Sequence, residues 1–225
     1  GRAGAHVLAQ HQSAAQPVNI LVGKDTRLSG DLLANALIAG ILSVGADAYL
    51  AGILPTPAVA WLTHQQAMTA GVMISASHNP AADNGIKFFS HNGCKLPDEL
   101  EDEIEHLLRH PELLPRPAGD NVGRLHQVGD WPALYLDCLC ELVQSPLTGL
   151  HIVADCANGA VSYIAKRVFE RLGVKVDVLN ATPDGLNINV NCGSTHPAGL
   201  AARVQQIGAD LGLAFDGDAD RLIAV

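Results

Sequence analysis

The sequence predicts two consecutive α/β domains, each with a mostly parallel, mixed sheet sandwiched by helices. Two observations support this fold class. Short apolar segments typical of buried strands alternate with helical segments in two successive series, and residues 110–124, rich in Pro and Gly and without periodicity, separate the series. Such alternation indicates parallel sheets that are covered on both faces. We therefore predict domains at residues 1–124 and 125–225.

The first series begins with a weakly helical segment at residues 1–16, followed by strands and stronger helices. Strands are predicted at residues 17–23, 47–54, 70–77 and 85–90, and helices at 30–45, 57–66 and 97–110. Gly45 ends the first of these helices, and Pro57 lies in the first turn of the second, both at their usual positions. Acidic residues begin the third helix, where the helix macrodipole favours them.

The second series has the same rhythm but no close sequence repeat of the first. Helices are predicted at residues 131–144, 160–173 and 197–208, and strands at 151–156, 175–180, 211–217 and 221–225. A long polar loop precedes the last helix.

The composition excludes several classes of function. The net charge is −9 and there is no run of Lys or Arg, which argues against nucleic acid or an anionic membrane as a partner. The chain has 5 cysteines without metal-site spacing, and this odd number favours reduced thiols in the cytoplasm. No apolar run reaches the roughly 18 residues of a membrane span. Whether the protein is a monomer or a dimer cannot be predicted.

The segment ISASHNPAADNG, residues 74–85, places polar side chains at the end of a predicted strand, where ligands gather in open parallel sheets. Ser77 is followed by His78 and Asn79 in a tight loop. An isolated serine here would be a helix cap or a turn residue, and His78 alone would be structural. No G-x-S-x-G motif is present, which argues against acyl transfer, but a serine hydroxyl can also carry a phosphoryl group.

The segment DGDADR, residues 216–221, concentrates negative charge. In an extended segment, Asp216, Asp218 and Asp220 would point to the same side. Three close carboxylates repel one another unless a cation neutralises them, and oxygen-only ligands favour Mg²⁺ or Ca²⁺. The alternative is an acidic surface turn. Arg221 would be an ion partner of the aspartates or a phosphate ligand.

The segment GKDTRLSG, residues 23–30, places Lys24 and Arg27 between a strand and a helix, as in an anion site. A solvent-exposed loop is the alternative. Together the three segments supply a hydroxyl, oxygen ligands for a metal and cations for phosphate. This set suits phosphoryl transfer, in which positioning and charge neutralisation carry most of the catalysis.

Two of these segments, taken together, are highly specific for one protein family. ISASHNPAADNGIKFF and DGDADR resemble the phosphoserine loop and the metal loop of the α-D-phosphohexomutases, and GKDTRLSG resembles their first arginine loop. The resemblance runs from about residue 18 to the end. Three further segments, LSVGADAYLAGILPTPAVAWLT, VADCANGA and NCGSTHPAGL, look most like the branch of the family that acts on glucosamine phosphate.

The resemblance implies a Mg²⁺-dependent enzyme that interconverts glucosamine 6-phosphate and glucosamine 1-phosphate through a bisphosphate, for amino-sugar nucleotide and cell-wall precursor synthesis. Ser77 would carry the phosphoryl group and would bind the metal together with the three aspartates. The basic residues around the transferred group would be Arg27, His78, Lys87 and Arg221, with His78 and Lys87 as candidates for proton transfer. The residues that bind phosphate or substrate would be Lys24, Arg27, Asn79 and Arg221, with Asn79 also shaping the loop.

The chain departs from the family pattern in length. It lacks the family's opening Gly-Thr-x-Gly-x-Arg segment and strand, and it matches only the first two of four domains, the second incompletely. We therefore expect these residues alone to hold metal without turning over sugar phosphate. A phosphomannomutase or phosphoglucomutase is the alternative within the family. Outside it, a metal-dependent phosphatase or a non-catalytic remnant that binds a metabolite or partner remains open.

Overall fold

Two sheets organise the protein, for which a computed structural model describes residues 1–11, 17–127 and 129–225. The strands of the first sheet are β1 (Asn19–Lys24), β2 (Asp47–Ile53), β3 (Ala70–Ile74), β4 (Ile86–Ser90) and β5 (Leu125–His126). The accompanying helices are α1 (Arg2–Gln10), α2 (Ser29–Leu42), α3 (Thr56–Gln65) and α4 (Asp98–Arg109). The strand order is β4-β3-β1-β2-β5, and only the pairing of β3 with β4 is antiparallel.

The second sheet has the order β7-β6-β8-β9. Its strands are β6 (His151–Asp155), β7 (Lys175–Leu179), β8 (Leu211–Phe215) and β9 (Leu222–Ala224), and the helices are α5 (Trp131–Leu142), α6 (Ala165–Arg171) and α7 (Ala198–Ile207). Only β9 runs antiparallel to its neighbour. Two mixed, mostly parallel sheets flanked by helices confirm the predicted fold class.

The first sheet buries both faces, as the continuous apolar strands predicted. In β1, Ile20 and Val22 pack with α1, α2 and α4, whereas Leu21 points to the opposite face and packs with α3. This division follows from the two-residue alternation of side chains along a strand. Helices on both faces therefore exclude water from the central strands.

The two sheets share an apolar cluster. Leu62 of α3 and Trp131 of α5 belong to the same buried cluster as Cys156 and Ile164, which follow β6. This cluster fixes the second sheet against the first, so that loops from both sheets can form one site.

Two predicted elements differ from their expected bounds. The strand predicted at residues 70–77 ends at Ile74. The Ser75 amide still donates to the Gly85 carbonyl, and the φ of 52° at Ser77 then takes the chain out of the extended conformation. The helix predicted at 160–173 begins as a 3-10 turn, Ala160–Tyr163, and becomes α-helical only at Ala165. Its start is tied down by the Ala160 amide, which donates to the Gly217 carbonyl.

The chain between the sheets contains one strand that the sequence did not predict. β5 pairs with β2, and His126 both contacts Asp47 at 2.9 Å and stacks on Tyr49. Residues 125–126 thus extend the first sheet beyond residue 124, and the domain boundary between 124 and 125 stays a prediction. Of the helix predicted at residues 1–16, α1 confirms the first part, and residues 12–16 lie outside the described residues.

The structure also bears on the cysteine thiols and on the possibility of membrane-spanning helices. The five cysteines, all within the described ranges, are unpaired thiols. Among the described residues, no helix combines the length and the apolar character that a membrane crossing requires.

The shared cluster predicts a large stability effect at Leu62, which is 0% exposed. We expect Leu62→Ala to lower the free energy of unfolding by about 2–5 kcal/mol, because it leaves a cavity where the sheets meet. Leu32→Ala is the matched control; Leu32 is 72% exposed, and a change within about 0.5 kcal/mol is expected. Urea denaturation measures both, and equal losses would contradict a shared core.

Candidate functional site

The serine loop and the aspartate loop meet at the carboxyl ends of the strands. Ser77 follows β3 of the first sheet, and Asp216 follows β8 of the second. The Ser77 hydroxyl donates a hydrogen bond of 2.6 Å to Asp216 Oδ2, although 139 residues separate the two in sequence. Both residues are buried. The structure therefore brings the predicted hydroxyl and the predicted acidic cluster into direct contact.

Ser77 is held in an unfavourable backbone conformation. Its φ of 52° lies in the left-handed region, which costs energy for any residue with a Cβ and persists only where surrounding contacts enforce it. The Ser77 amide donates to Ser75 Oγ at 2.9 Å. The Ser77 carbonyl accepts from Arg27 Nη2 at 3.0 Å and from Asn189 Nδ2 at 2.9 Å. These contacts direct the hydroxyl towards Asp216.

Arg27 supports the serine loop from inside the first domain. It is 1% exposed, and its guanidinium donates to the carbonyls of Ser77, Asn79 and Pro80. Its Nε donates to Asp25 Oδ2 at 2.9 Å, and the same oxygen accepts from Ser75 Oγ at 2.7 Å. These hydrogen bonds direct Arg27 to the loop backbone, and its predicted contact with a transferred phosphate stays a prediction.

The three aspartates converge through a turn. Ala219 has a φ of 55°, and its amide donates to the Asp216 carbonyl, so the segment is folded and not extended. Asp216, Asp218 and Asp220 can each offer one carboxylate oxygen, with all of these oxygens within 4.8 Å of one another. Asp216 and Asp218 are 0% exposed. The expected convergence is thus present, with a different backbone geometry from the one assumed.

Asp218 has one oxygen that is well satisfied and one that is not. Oδ2 accepts from Thr56 Oγ1 at 2.5 Å and from Lys87 Nζ at 2.7 Å. Oδ1 is buried without a hydrogen-bond partner among the described residues. Because a buried polar atom without a partner is costly, this oxygen fits a cation ligand. The oxygen-only set of donors is the type that Mg²⁺ and Ca²⁺ bind.

The pKa values of the two buried carboxyls shift in opposite directions. Burial raises the pKa of Asp216, and the charges of Asp218 and Asp220 raise it further. Burial also acts to raise the pKa of Asp218, but hydrogen bonds from Lys87 and Thr56 outweigh it and hold the pKa below its ordinary value. Asp216 is therefore the carboxyl whose charge is least favourable without a cation nearby.

Three of the predicted basic residues, Lys87, His78 and Arg221, lie at the mouth of the site. Lys87 Nζ is 2.7 Å from Asp218 and 3.7 Å from Asp220, so that its ammonium group neutralises part of the acidic cluster. Arg221 Nη1 lies 3.1 Å from His78 Nδ1. Because a guanidinium group can only donate, the His78 Nδ1 is the acceptor in this contact. These residues are placed to meet an anionic ligand.

The remaining predicted residues have other contacts. Lys24 forms an ion pair of 2.7 Å with Asp31, and the structure does not bring its ammonium group to the aspartates. The Asn79 side chain donates to Asp83 and its carbonyl accepts from Arg27, which is a loop-shaping position. Their predicted contacts with phosphate or substrate stay predictions.

Several residues of the site were not predicted. Asp25 and Ser75 brace Arg27, Thr56 contacts Asp218, and Asn189 reaches the serine loop from the second domain. Asp25 lies within the GKDTRLSG segment and Asn189 lies in the polar loop after β7, but neither has a spacing that indicates its partner. Only the fold shows which distant carbonyl or carboxylate each one contacts.

Comparison with known proteins identifies the family. The family model for phosphoglucomutase/phosphomannomutase, alpha/beta/alpha domain I, matches residues 1–114, and the model for domain II matches residues 133–225. Since these matches cover most of the chain, the protein belongs to the phosphoglucomutase/phosphomannomutase family. This confirms the family resemblance of its motifs.

Individual relatives agree with this assignment. Phosphoglucosamine mutase from Moorella thermoacetica is 56% identical over 100% of the chain and 50% of its own length. Another phosphoglucosamine mutase, from Carboxydothermus hydrogenoformans, is 53% identical with the same coverage. The crystal structure of a phosphoglucomutase/phosphomannomutase family protein from Burkholderia thailandensis matches 100% of the chain and 49% of its own length, with a TM-score of 0.82 and 27% identity. The chain thus spans about half the length of the curated relatives that it matches.

The raised pKa of Asp216 predicts that this residue lowers stability when no metal is bound. We expect Asp216→Asn to raise the free energy of unfolding at neutral pH in EDTA by on the order of 1 kcal/mol, because it removes a buried, repelled charge. Because the pKa of Asp216 is raised, the folded state binds more protons than the unfolded state. The free energy of unfolding should therefore fall as the pH rises from the unfolded-state pKa of this carboxyl to its higher folded-state pKa. The variant should lack this pH dependence.

Urea denaturation over a pH series, with EDTA or Mg²⁺, measures this effect. Asp102→Asn removes an exposed charge from α4 and serves as the control, with no expected change in stability or in the response to Mg²⁺. Loss of stability in Asp216→Asn without metal, together with an unchanged Mg²⁺ response, would contradict the interpretation.

Proposed function

We propose that this chain supplies the phosphoserine and metal-binding parts of a phosphosugar mutase that interconverts glucosamine 6-phosphate and glucosamine 1-phosphate. The observation that carries the proposal is the 2.6 Å hydrogen bond between the Ser77 hydroxyl and Asp216. This contact supports Ser77 as the nucleophile, because its hydroxyl lies beside a buried carboxylate of the acidic cluster. Identity of 56% to a phosphoglucosamine mutase supports the amino sugar as substrate.

The proposed reaction moves a phosphoryl group between Ser77 and the sugar in both directions. In one direction a sugar hydroxyl attacks phosphorus and the bond from phosphorus to Ser77 Oγ breaks. The sugar hydroxyl gives its proton to a nearby base, and the released Ser77 oxygen takes up a proton from a nearby acid. The resulting bisphosphate then returns its other phosphoryl group to Ser77, whose hydroxyl proton passes to the sugar oxygen that is released. Lys87 and His78 are the proposed proton carriers, and Lys87 lies at the acidic cluster.

We propose Mg²⁺ as the cofactor, held by Asp216, Asp218, Asp220 and the oxygen of Ser77 or its phosphate. When bound, Mg²⁺ supplies charge neutralisation and polarises a phosphoryl oxygen. A phosphoserine adds about −1.5 to −2 of charge, which three adjacent carboxylates would oppose. The buried Asp218 Oδ1, which has no hydrogen-bond partner in the described part of the chain, supports this site. Arg221 and His78, at the mouth, are proposed to contact the phosphate.

The proposed location is the cytoplasm. Free thiols at the five cysteine positions, which all lie in the described segments, support it. The proposed binding partner is a phosphosugar substrate, and neither nucleic acid nor a membrane is proposed.

The proposal predicts that Ser77 accepts a phosphoryl group. We expect Mg²⁺ and glucosamine 1,6-bisphosphate to add one phosphoryl group to the protein, located on Ser77 by intact and tandem mass spectrometry. Ser77→Ala should abolish this addition, and Ser90→Ala should retain it. EDTA should slow the addition by at least tenfold, because the carboxylates then repel the incoming phosphate.

The same experiment separates the alternatives. Faster uptake from glucosamine 1,6-bisphosphate than from the glucose or mannose analogues supports the amino-sugar substrate, and the reverse order contradicts it. A phosphoryl group on Asp216 would indicate a phosphatase mechanism. A protein that is never phosphorylated and whose melting temperature does not respond to Mg²⁺ would contradict the proposed function.

A further inference from the structure

We propose that Asn189 of the second domain is a positioning residue for Ser77. Its side-chain amide holds the backbone of the serine loop in the conformation that directs the Ser77 hydroxyl to Asp216. This inference rests on the proposed function of Ser77, and it assigns a role to a residue outside the three motifs.

The contacts of Asn189 duplicate those of Arg27. Asn189 Nδ2 donates to the carbonyl of Ser77 at 2.9 Å and to that of Asn79 at 3.1 Å. Arg27 Nη2 donates to the same carbonyls at 3.0 and 2.9 Å. A carbonyl oxygen has two lone pairs, so each carbonyl is saturated by one donor from each domain. The serine loop is therefore clamped between the domains.

The second domain holds Asn189 in place. Asn189 has a left-handed φ of 60°, which asparagine tolerates better than most residues. Its backbone N–H donates to the Ala157 carbonyl at 2.9 Å. The preceding residue, Ile188, is 0% exposed. A buried carboxylate, Asp155, accepts from the backbone amides of Ala157, in the segment after β6, and of Gly193, which follows Asn189 in the loop after β7. The Asn189 side chain therefore starts from a fixed backbone.

The packing beside the clamp leaves no spare room. A Cβ at Gly217, in the aspartate loop, would lie 2.6 Å from the Ser77 carbonyl oxygen and 2.8 Å from Asn189 Nδ2. The serine loop, the aspartate loop and Asn189 thus pack directly against one another. Movement of the Asn189 amide would change the distance between Ser77 and Asp216.

The clamp matters because Ser77 is strained. With a φ of 52°, Ser77 would relax towards an ordinary conformation if its carbonyl lost a donor. Such relaxation would rotate the hydroxyl away from Asp216. A displacement of about 1 Å at a reacting atom can cost on the order of 100-fold in rate. Arg27 alone would leave the loop held from one domain only.

The sequence offers a matched control. Asn191 has a left-handed φ of 53°, close to that of Asn189, but it is exposed and makes none of the described hydrogen bonds to the serine loop. Alanine at either position therefore introduces similar backbone strain. The difference between Asn189→Ala and Asn191→Ala isolates the contribution of the side-chain amide.

The test measures amide hydrogen exchange and phosphoryl uptake in the whole chain with Mg²⁺. We expect Asn189→Ala to accelerate exchange of the Ser77 and Asn79 amides by about tenfold, the equivalent of one or two lost hydrogen bonds, while β3 amides are unchanged. Its maximal rate of uptake from glucosamine 1,6-bisphosphate should fall about tenfold, with little change in the half-saturating concentration, because Asn189 contacts the loop and not the donor. Asn191→Ala should resemble the wild type in both measurements.

Equal behaviour of the two alanine variants would overturn the proposal. Asn189→Asp provides a second variant of nearly the same size, in which an acceptor replaces the donor, and it should show the same local effect. If the wild type takes up no phosphoryl group, the proposed function fails, and the exchange measurement still decides whether Asn189 holds the loop. Faster exchange throughout β3 as well would indicate a general stability role and contradict the proposal.

Discussion

The contact between Ser77 and Asp216 is the interaction on which the rest of the site depends. It joins residues from two domains at 2.6 Å, so it requires both sheets to be docked with little tolerance. Burial of the shared apolar cluster stabilises the packing of the two domains, and hydrogen bonds across the interface fix their relative position. Thr26 Oγ1 donates to the Asn158 carbonyl, and the Leu28 amide donates to the Gly185 carbonyl. Apolar packing therefore provides most of the energy, and polar contacts provide the geometry.

Each domain organises its functional loop around a buried aspartate at the end of a central strand. Asp25 follows β1 and binds Arg27 and Ser75, which hold the serine loop. Asp155 ends β6 and accepts from the amides around the loop that carries Asn189. Both aspartates are nearly inaccessible to solvent. Their desolvation is offset by several hydrogen bonds each, and the result is a rigid loop at the carboxyl end of the sheet.

The electrostatics of the site oppose stability in the absence of a cation. Asp216 is buried beside two further carboxylates, and burial together with those charges raises its pKa. Lys87 relieves part of the repulsion by its contact with Asp218. The repulsion among these carboxylates lowers the stability of the fold without a ligand, as is common at functional sites. The cluster lies in the part of the chain that matches domain II of the phosphoglucomutase/phosphomannomutase family.

The alternation of strands and helices, the two sheets and the three motifs could be predicted from the sequence, because hydrophobic periodicity and turn residues act over a few neighbouring positions. The sequence did not predict β5, whose two residues are too few to form a pattern. It also gave no sign that Arg27 is buried and donates to the backbone of the serine loop. The contact of Asn189 with Ser77 follows only from the packing of the two domains. The same holds for the buried Asp218 oxygen, which has no partner among the described residues. Such contacts join positions far apart in the chain, and they depend on how two sheets dock, which no local pattern encodes.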